Sequence, residues 1–143
     1  MAKVSFIIFA EETMTQNQIK PDLLIRNPKI SLVPAYIPGQ FSFSIVFGLV
    51  GLQNKEHYTL RMKFMHKESG AIVAEFNGME FDFEMDLNDP VSAKTNGTVI
   101  NINMNNVIFE KEGTYEIEME LDGSITRQEI EVLGARSVSG GKS

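Results

Sequence analysis

The chain has 143 residues, of which 43% are hydrophobic and 22% are charged, and its formal net charge is −6. These values are typical of one soluble globular domain. An acidic chain is poorly suited to general binding of nucleic acid or anionic lipid, because both need Lys and Arg to neutralise phosphates. We therefore expect neither nucleic acid nor a membrane among its partners. The absence of cysteine excludes disulfides, thiolate metal sites and a cysteine nucleophile, and it fits a reducing cytoplasm.

The first apolar run, residues 4–10, follows Lys3 and briefly imitates a signal peptide. It is at the short end for such a segment, it meets Glu11 and Glu12 directly, and it has no small-residue cleavage site. We therefore expect this run to form the first β-strand. The best helix candidate in the chain, a turn or so, lies within residues 11–24.

The least polar stretch is residues 37–52, IPGQFSFSIVFGLVGL. Its bulky side chains occupy alternate positions: Phe41, Phe43, Ile45, Phe47 and Leu49. A period of two predicts a half-buried strand, and the stretch is shorter than the roughly 20 apolar residues that a membrane helix needs. On the opposite face, Ser42, Ser44 and Val46 carry no charge. We expect the N-terminal segment to cover this strip; the alternative is a strip open to a partner.

The same alternation predicts strands over the rest of the chain, near residues 29–33, 57–65, 72–76, 79–86, 100–105, 115–122 and 129–132. Turn-forming pairs separate these runs. Asp122-Gly123 tolerates the positive φ of a tight turn, so residues 114–132 are predicted to form a hairpin. Asn77-Gly78 is interpreted as a second hairpin turn, and the alternative is a bulge within one long strand.

About eight strands at even spacing, each apolar on one side, predict two antiparallel sheets packed face to face. The expected fold is an all-β, immunoglobulin-like β-sandwich with at most one short helical turn. We expect one domain over residues 1–133. Residues 134–143 lose all periodicity and are expected to form a flexible tail.

Two predicted strands carry acidic rows on their outward faces: Glu80, Asp82, Glu84 and Asp86 on one, and Glu116, Glu118 and Glu120 on the other. Calcium fits them poorly, because same-face residues of a strand stand about 6.6 Å apart, whereas calcium takes six to eight oxygens at about 2.3–2.6 Å. Two interpretations remain. The rows are either a docking surface for a basic partner, or a solvated face partly neutralised across strands by Arg61, Lys63 and Lys67.

The two histidines, His57 and His66, fall on opposite faces of one predicted strand, about 30 Å apart at the usual rise per residue. They are therefore expected to occupy turn or surface positions and to share neither a metal ion nor a catalytic role. An asparagine row at 101, 103, 105 and 106 has the chemistry to bind a sugar or peptide, but an exposed polar face or an aggregation-resistant edge is favoured. We predict no catalytic, cofactor-binding or metal-binding residues.

Several short runs are shared with a known family: LIRNP at 24–28, IPGQFSF at 37–43, HYTL at 57–60, ESG at 68–70, EGTY at 112–115 and LDG at 121–123. With these runs the chain resembles an uncharacterised family of small bacterial β-sandwich proteins, a domain of unknown function, over about residues 3–133. The resemblance implies the fold and a bacterial or phage origin. It brings no catalytic residues.

The favoured function is a non-enzymatic cytoplasmic module that binds a protein partner, or itself, through a sheet face or a free edge. The acidic rows and the strip of Ser42, Ser44 and Val46 are the candidate contact residues. One alternative is a structural subunit of a phage or surface assembly. Another is a small-ligand binder or enzyme whose site is built from loops 34–40, 86–97 and 122–124.

Overall fold

The computed structural model describes residues 2–16, 22–84 and 97–137. The regular secondary structure in these ranges consists of β-strands alone. The strands are β1 (Lys3–Gln16), β2 (Asp22–Lys29), β3 (Ser31–Leu32), β4 (Tyr36–Ile37), β5 (Gly39–Val50), β6 (His57–His66), β7 (Ile72–Asp82), β8 (Thr98–Phe109), β9 (Gly113–Leu121), β10 (Ser124–Val132) and β11 (Arg136–Ser137). No helix in these ranges has the length and apolarity to cross a membrane.

The long strands form two sheets. Sheet A has the order β2-β1-β5-β8, sheet B has the order β3-β10-β9-β6-β7, and the short β4 and β11 pair with each other. Neighbouring long strands all pair antiparallel. The two-residue strands pair in parallel with their neighbours. The protein is therefore an all-β, immunoglobulin-like sandwich, as predicted, and its described residues form eight long strands and three strands of two residues.

Aromatic rings from both sheets hold the centre of the sandwich. The group consists of five buried side chains: Phe9, Phe43, Phe64, Phe109 and Tyr115. Their ring centroids lie 5.3 to 6.3 Å apart, mostly in tilted or edge-to-face arrangements, which suit aromatic quadrupoles. Each such burial contributes about 1.5–3 kcal/mol before chain entropy is subtracted.

Strand β5 carries the predicted face into this core. Phe43, Ile45, Phe47 and Leu49 are at most 2% exposed, and Phe41 packs partly buried against them. The N-terminal apolar run is also a strand, as predicted, and β1 continues through Gln16. The helix expected within residues 11–24 is wrong for the described part, because the chain there pairs as the antiparallel hairpin of β1 and β2.

The turn predicted at Asn77-Gly78 is also wrong. Strand β7 runs through both residues, and the pairing with β6 shifts from Leu60↔Met79 to Met62↔Phe76. Two residues thus face Arg61 alone, which defines a bulge, and the Arg61 Nε donates to the Asn77 carbonyl at 3.1 Å. The physical reason is the alternation of side chains. Phe76 and Met79 are three positions apart and would face opposite sides of a regular strand, but the extra residue of the bulge lets both face the core.

The Asp122-Gly123 hairpin is confirmed. Strands β9 and β10 pair residue for residue from Gly113↔Val132 to Leu121↔Ser124. Both turn residues have positive φ, 52° for Asp122 and 79° for Gly123, which is the geometry of a two-residue type I′ turn.

We expected the domain to stop at residue 133, and hydrogen bonding continues beyond it. The Gly134 amide donates to Glu112 Oε2 at 2.7 Å, the Ala135 amide donates to the Pro34 carbonyl at 2.7 Å, and β11 pairs with β4. The rest of the expected tail, residues 138–143, lies outside the described residues.

Candidate interaction surfaces

The outward face of sheet B brings the second acidic row together with basic side chains. Arg127 Nε lies 2.9 Å from Glu118 and 3.9 Å from Glu116. Neighbouring β6 supplies cations on the other side: Arg61 lies 3.6 Å from Glu120 and Lys63 lies 4.0 Å from Glu118. The central row is therefore internally compensated, which agrees with the interpretation of a solvated face neutralised across strands.

The first acidic row lies on β7, at the edge of the same sheet. Glu80 and Asp82 are exposed, with 66% and 74% of their side-chain area accessible. His57 on β6 lies between them: its Nδ1 is 2.6 Å from Asp82 Oδ1 and its Nε2 is 3.1 Å from Glu80 Oε1. Glu84 is exposed just beyond the strand, and Asp86 lies outside the described residues.

His57 is best satisfied as an imidazolium. Carboxylates only accept hydrogen bonds, so both ring nitrogens must carry protons to donate to Asp82 and Glu80. The hydrogen bond to Asp82, followed by the one to Glu80, accordingly raises the pKa of His57 above its ordinary value. The edge row thus carries one titratable cation of its own, and the rest of its negative charge faces solvent.

The strip on β5 lies on the outward face of sheet A, on the opposite side of the sandwich from both acidic rows. Ser42 is exposed, but Ser44 and Val46 are only 2% and 1% exposed. The Ser44 hydroxyl lies 2.8 Å from Asn103 Oδ1, and the Ser42 hydroxyl accepts from the Asn106 amide at 2.9 Å. Most of the strip is therefore unavailable to a partner.

Strand β1 contributes to this cover, which matches the expectation that the N-terminal segment lies over the strip. The Phe6 ring lies against Gly48, where a Cβ atom would stand 2.3 Å from Phe6 Cε1. Further along β1, the Thr13 hydroxyl accepts from Asn101 Nδ2 at 2.9 Å. Small side chains on β5 thus make room for groups from its neighbour.

Strand β8 is the edge of sheet A and the least protected edge in the described structure. Its 12 residues, TVININMNNVIF, include no charge and no proline. From Thr98 to Met104 it pairs with β5 without a bulge, and Val99 on its outward side is 51% exposed. Natural edges usually carry charges, bulges or proline to prevent strand addition, so this stretch is open to a further strand.

The two edge strands β7 and β8 lie on the same side of the sandwich. Phe81 of β7 and Ile100 of β8 line one depression between the two strands. Val73 of β7 and Ile108 of β8 line a second one. Between these ends runs a set of partly buried apolar side chains, which we call the seam: Ala74, Phe76, Met79, Phe81, Ile100, Ile102 and Met104. No strand of the described residues covers the seam from outside.

The second depression, a cavity of about 270 Å³, contains His66, Ser69 and Tyr115. The Ser69 amide donates to His66 Nδ1 at 3.2 Å, which leaves the proton on Nε2 to reach the Glu112 carbonyl at 3.2 Å. The Tyr115 hydroxyl donates to the Lys111 carbonyl at 2.6 Å, and burial raises the pKa of this phenol. These polar groups hold the adjoining turns together, and His66 is a buried residue at the end of β6.

Metal ligation has no geometric basis in the described residues: no three His, Asp or Glu side chains there converge as a metal site would require. Of the loops considered for a ligand site, 34–40 and 122–124 are described, whereas 86–97 is described only at Gly97. Sequence reasoning missed the His57 bridge and the seam. The available signal was that His57 and Asp82 lie on two neighbouring predicted strands. Whether they face each other depends on the register of these strands, which the bulge shifts.

Comparison with known proteins places the chain in a family. The model of a family of unknown function (DUF6941) matches residues 30–132. The chain belongs to this family. The predicted resemblance to an uncharacterised family is thereby confirmed, and the match excludes β1 and β2. No curated protein matches the chain.

Solved structures resemble the chain at low identity. An alkylpurine DNA glycosylase, AlkC, of Pseudomonas fluorescens, bound to DNA containing an abasic site analog, is 11% identical with a TM-score of 0.47, over 89% of this chain and 30% of that one. A β-glucosidase of Listeria innocua in complex with glucose is 8% identical with a TM-score of 0.47, over 90% and 16%. An immunoglobulin-like protein of Pseudomonas aeruginosa is 12% identical with a TM-score of 0.39, over 92% and 96%. None of the three likenesses bears on function.

Proposed function

We propose that the protein is a non-enzymatic, cytoplasmic protein-interaction module of bacterial or phage origin, which binds a protein partner through the edge strand β8 and the seam beside it. The proposal includes neither nucleic acid nor a membrane among the partners. It places recognition at a sheet edge, where main-chain groups provide affinity and side-chain contacts provide specificity.

The observation that carries this proposal is the uncharged edge of β8. In a chain with net charge −6, 12 consecutive residues at a sheet edge carry no charge. Adding a strand there would satisfy the main-chain groups that face away from β5, and it would cover the adjoining inward side chains Ile100, Ile102 and Met104.

The outward faces of the two sheets are less suitable docking surfaces than the β8 edge, and this supports the proposal. Docking on the outward face of sheet B would require a partner to compete with Arg61, Lys63 and Arg127 for the carboxylates of β9. Docking on the β5 strip would require Ser44 and Val46 to be uncovered first. Edge recognition disturbs neither arrangement.

A charge-insertion experiment tests the edge. The double variant N101K/N103K places two lysines on β8, and the matched control Q53K/Q128K adds the same charge at exposed positions away from the edge. Capture from a bacterial host, followed by mass spectrometry, should recover the same partner with the wild type and the control and lose it with N101K/N103K. Melting curves of both variants establish that they are folded. Equal capture by all three proteins would remove the edge from consideration.

A structural subunit of a phage or surface assembly is the second candidate, and one observation favours it. Asparagine amides both donate and accept, so the row on β8 is self-complementary when two copies pair antiparallel. Sedimentation equilibrium distinguishes the two functions. A closed or polymeric assembly that N101K/N103K dissolves would support the subunit, whereas a monomer supports the adaptor module.

A further inference from the structure

We propose that the seam accepts an extended segment of another protein in which apolar side chains alternate with Lys or Arg. This inference rests on the function proposed above, and it specifies the chemistry of a partner segment that pairs with β7 on the sheet B side of the seam. It follows from two sides of the same edge: the apolar groups that face the core and the carboxylates that face outward.

The apolar half of the argument concerns the inward side of β7 and β8. Ala74, Phe76, Met79 and Phe81 pair in register with the buried β6 residues Phe64, Met62, Leu60 and Tyr58. Their β8 counterparts pair with Phe43, Ile45 and Phe47 of β5. All seven seam residues remain only partly buried. Every second side chain of an added strand points to this inward side, so those positions need apolar residues.

The charged half concerns the outward side of β7. Glu75, Glu80 and Asp82 are exposed, and His57 contacts one oxygen of Glu80 and one of Asp82. The other oxygen of each carboxylate has no cation from the described residues within salt-bridge distance. The intervening side chains of a strand added to β7 would stand beside this row, where opposite charge stabilises and like charge destabilises.

Charge also argues against a second copy of the chain as the occupant. Antiparallel pairing of β7 with β7 of another copy would set one acidic row beside the other, which is unfavourable. Pairing with β8 of another copy would supply no cation, because β8 has no charged residue. The one alternation of basic and apolar residues on a described strand, Arg61 to Phe64, belongs to β6, which is paired on both sides.

Three labelled twelve-residue peptides test the inference: one in which Val and Lys alternate, one in which Val and Glu alternate, and one with six Val followed by six Lys. Fluorescence anisotropy measures binding, and amide hydrogen exchange locates it. We expect binding of the alternating Val/Lys peptide alone, with slowed exchange in β7, which carries the acidic row, and with weaker binding as salt rises. Equal binding of the Val/Glu peptide, or of the block peptide, would overturn the inference.

Variants of the protein sharpen the test. E80Q/D82N removes two carboxylates of the row, and the matched control E68Q/D122N removes two exposed carboxylates elsewhere. Two cross-strand pairs predict a loss of about threefold to tenfold in affinity for E80Q/D82N, and less than about twofold for the control. Equal losses in both variants would show general attraction to an acidic protein and would contradict the inference.

Other occupants are distinguishable outcomes. Self-association of the wild type that N101K/N103K abolishes would identify a second copy and overturn the inference. Tighter peptide binding after residues 85–96 are replaced by a Gly/Ser linker of equal length would identify the chain's own segment instead. If the native partner depends on β8 but no alternating Val/Lys peptide binds, the partner chemistry is wrong and the proposed function stands. If N101K/N103K retains every partner, the proposed function itself fails.

Discussion

His57 shows how one residue links two strands through charge. Its two ring nitrogens donate to Asp82 and Glu80 on β7, so the protonated ring holds the end of the edge strand to β6. The hydrogen bond to Asp82 is the larger cause of its raised pKa, and the bond to Glu80 is next. This interaction exists only while the ring is charged, which makes it dependent on pH.

The sign of that dependence follows from linkage. A group whose pKa is higher in the folded state stabilises the fold fully below its unfolded pKa, ordinarily about 6.5 for histidine. The contribution disappears as the pH rises through the folded value. We therefore expect the urea midpoint of the wild type to exceed that of H57Q at pH values near 5.5, and the two midpoints to converge at pH values near 9.

Titration followed by nuclear magnetic resonance tests whether Asp82 and Glu80 cause the raised pKa of His57. The His57 ring should titrate above the ordinary histidine range in the wild type and return toward it in E80Q/D82N. A midpoint difference between wild type and H57Q that does not change with pH would contradict an electrostatic role for the ring.

At the scale of single elements, the bulge in β7 decides which side chains reach the core. If the same residues formed a regular strand, either Phe76 or Met79 would point outward, because side chains alternate strictly along a regular strand. The bulge does not require glycine at position 78, because a Cβ there would meet only Thr59 Cγ2, at an ordinary contact distance of 3.8 Å.

Deletion of Gly78 tests this account. Because deletion leaves Phe76 and Met79 two positions apart, a regular strand would keep both of them, and Phe81, facing the core without a bulge. We therefore expect the deletion to change the free energy of unfolding by no more than about 1 kcal/mol. G78A should stay within about 1 kcal/mol of the wild type, because its Cβ fits. Urea unfolding measures both variants. A deletion variant that loses more than about 2 kcal/mol would show that the alternation argument is wrong.

On the scale of the whole molecule, the two sheets close around one aromatic centre, and no strand of the described residues covers the seam between β7 and β8. Phe64 lies at this centre: it is fully buried and its ring contacts Phe9, Phe43, Phe109 and Tyr115. These neighbours come from both sheets, so the contacts of Phe64 join the two layers.

Truncation of this ring should therefore affect the whole domain. We expect F64A to lower the free energy of unfolding by about 3–5 kcal/mol, with the same shift in circular dichroism and in tyrosine fluorescence. The exposed Ile125 provides the control, and I125A should stay within about 0.5 kcal/mol of the wild type. Separate transitions of the two probes in F64A would show that the sheets do not unfold as one unit.

The candidate site was only partly predictable from sequence. Cross-strand neutralisation of Glu118 and Glu120 by Lys63 and Arg61 of β6 was predictable, because both strands alternate cleanly and carry opposite charges. The pairing of His57 with Asp82 and Glu80 was not, since it depends on a register that the bulge displaces. The buried state of Ser44 and Val46 was not predictable either, because it depends on tertiary neighbours such as Asn103 of β8, which lies 2.8 Å from the Ser44 hydroxyl.

Alternation of apolar side chains by itself determined the class of fold, the inward faces of β5, β6, β8 and β9, and the β9–β10 hairpin, because these depend on neighbours within a few residues. Only the tertiary structure decided which strands are edges. The partner of β8 is β5 and the partner of β7 is β6, and such pairings are settled by how two whole sheets pack rather than by local preference. The open seam between β7 and β8 is a consequence of that packing, and so is the function proposed for it.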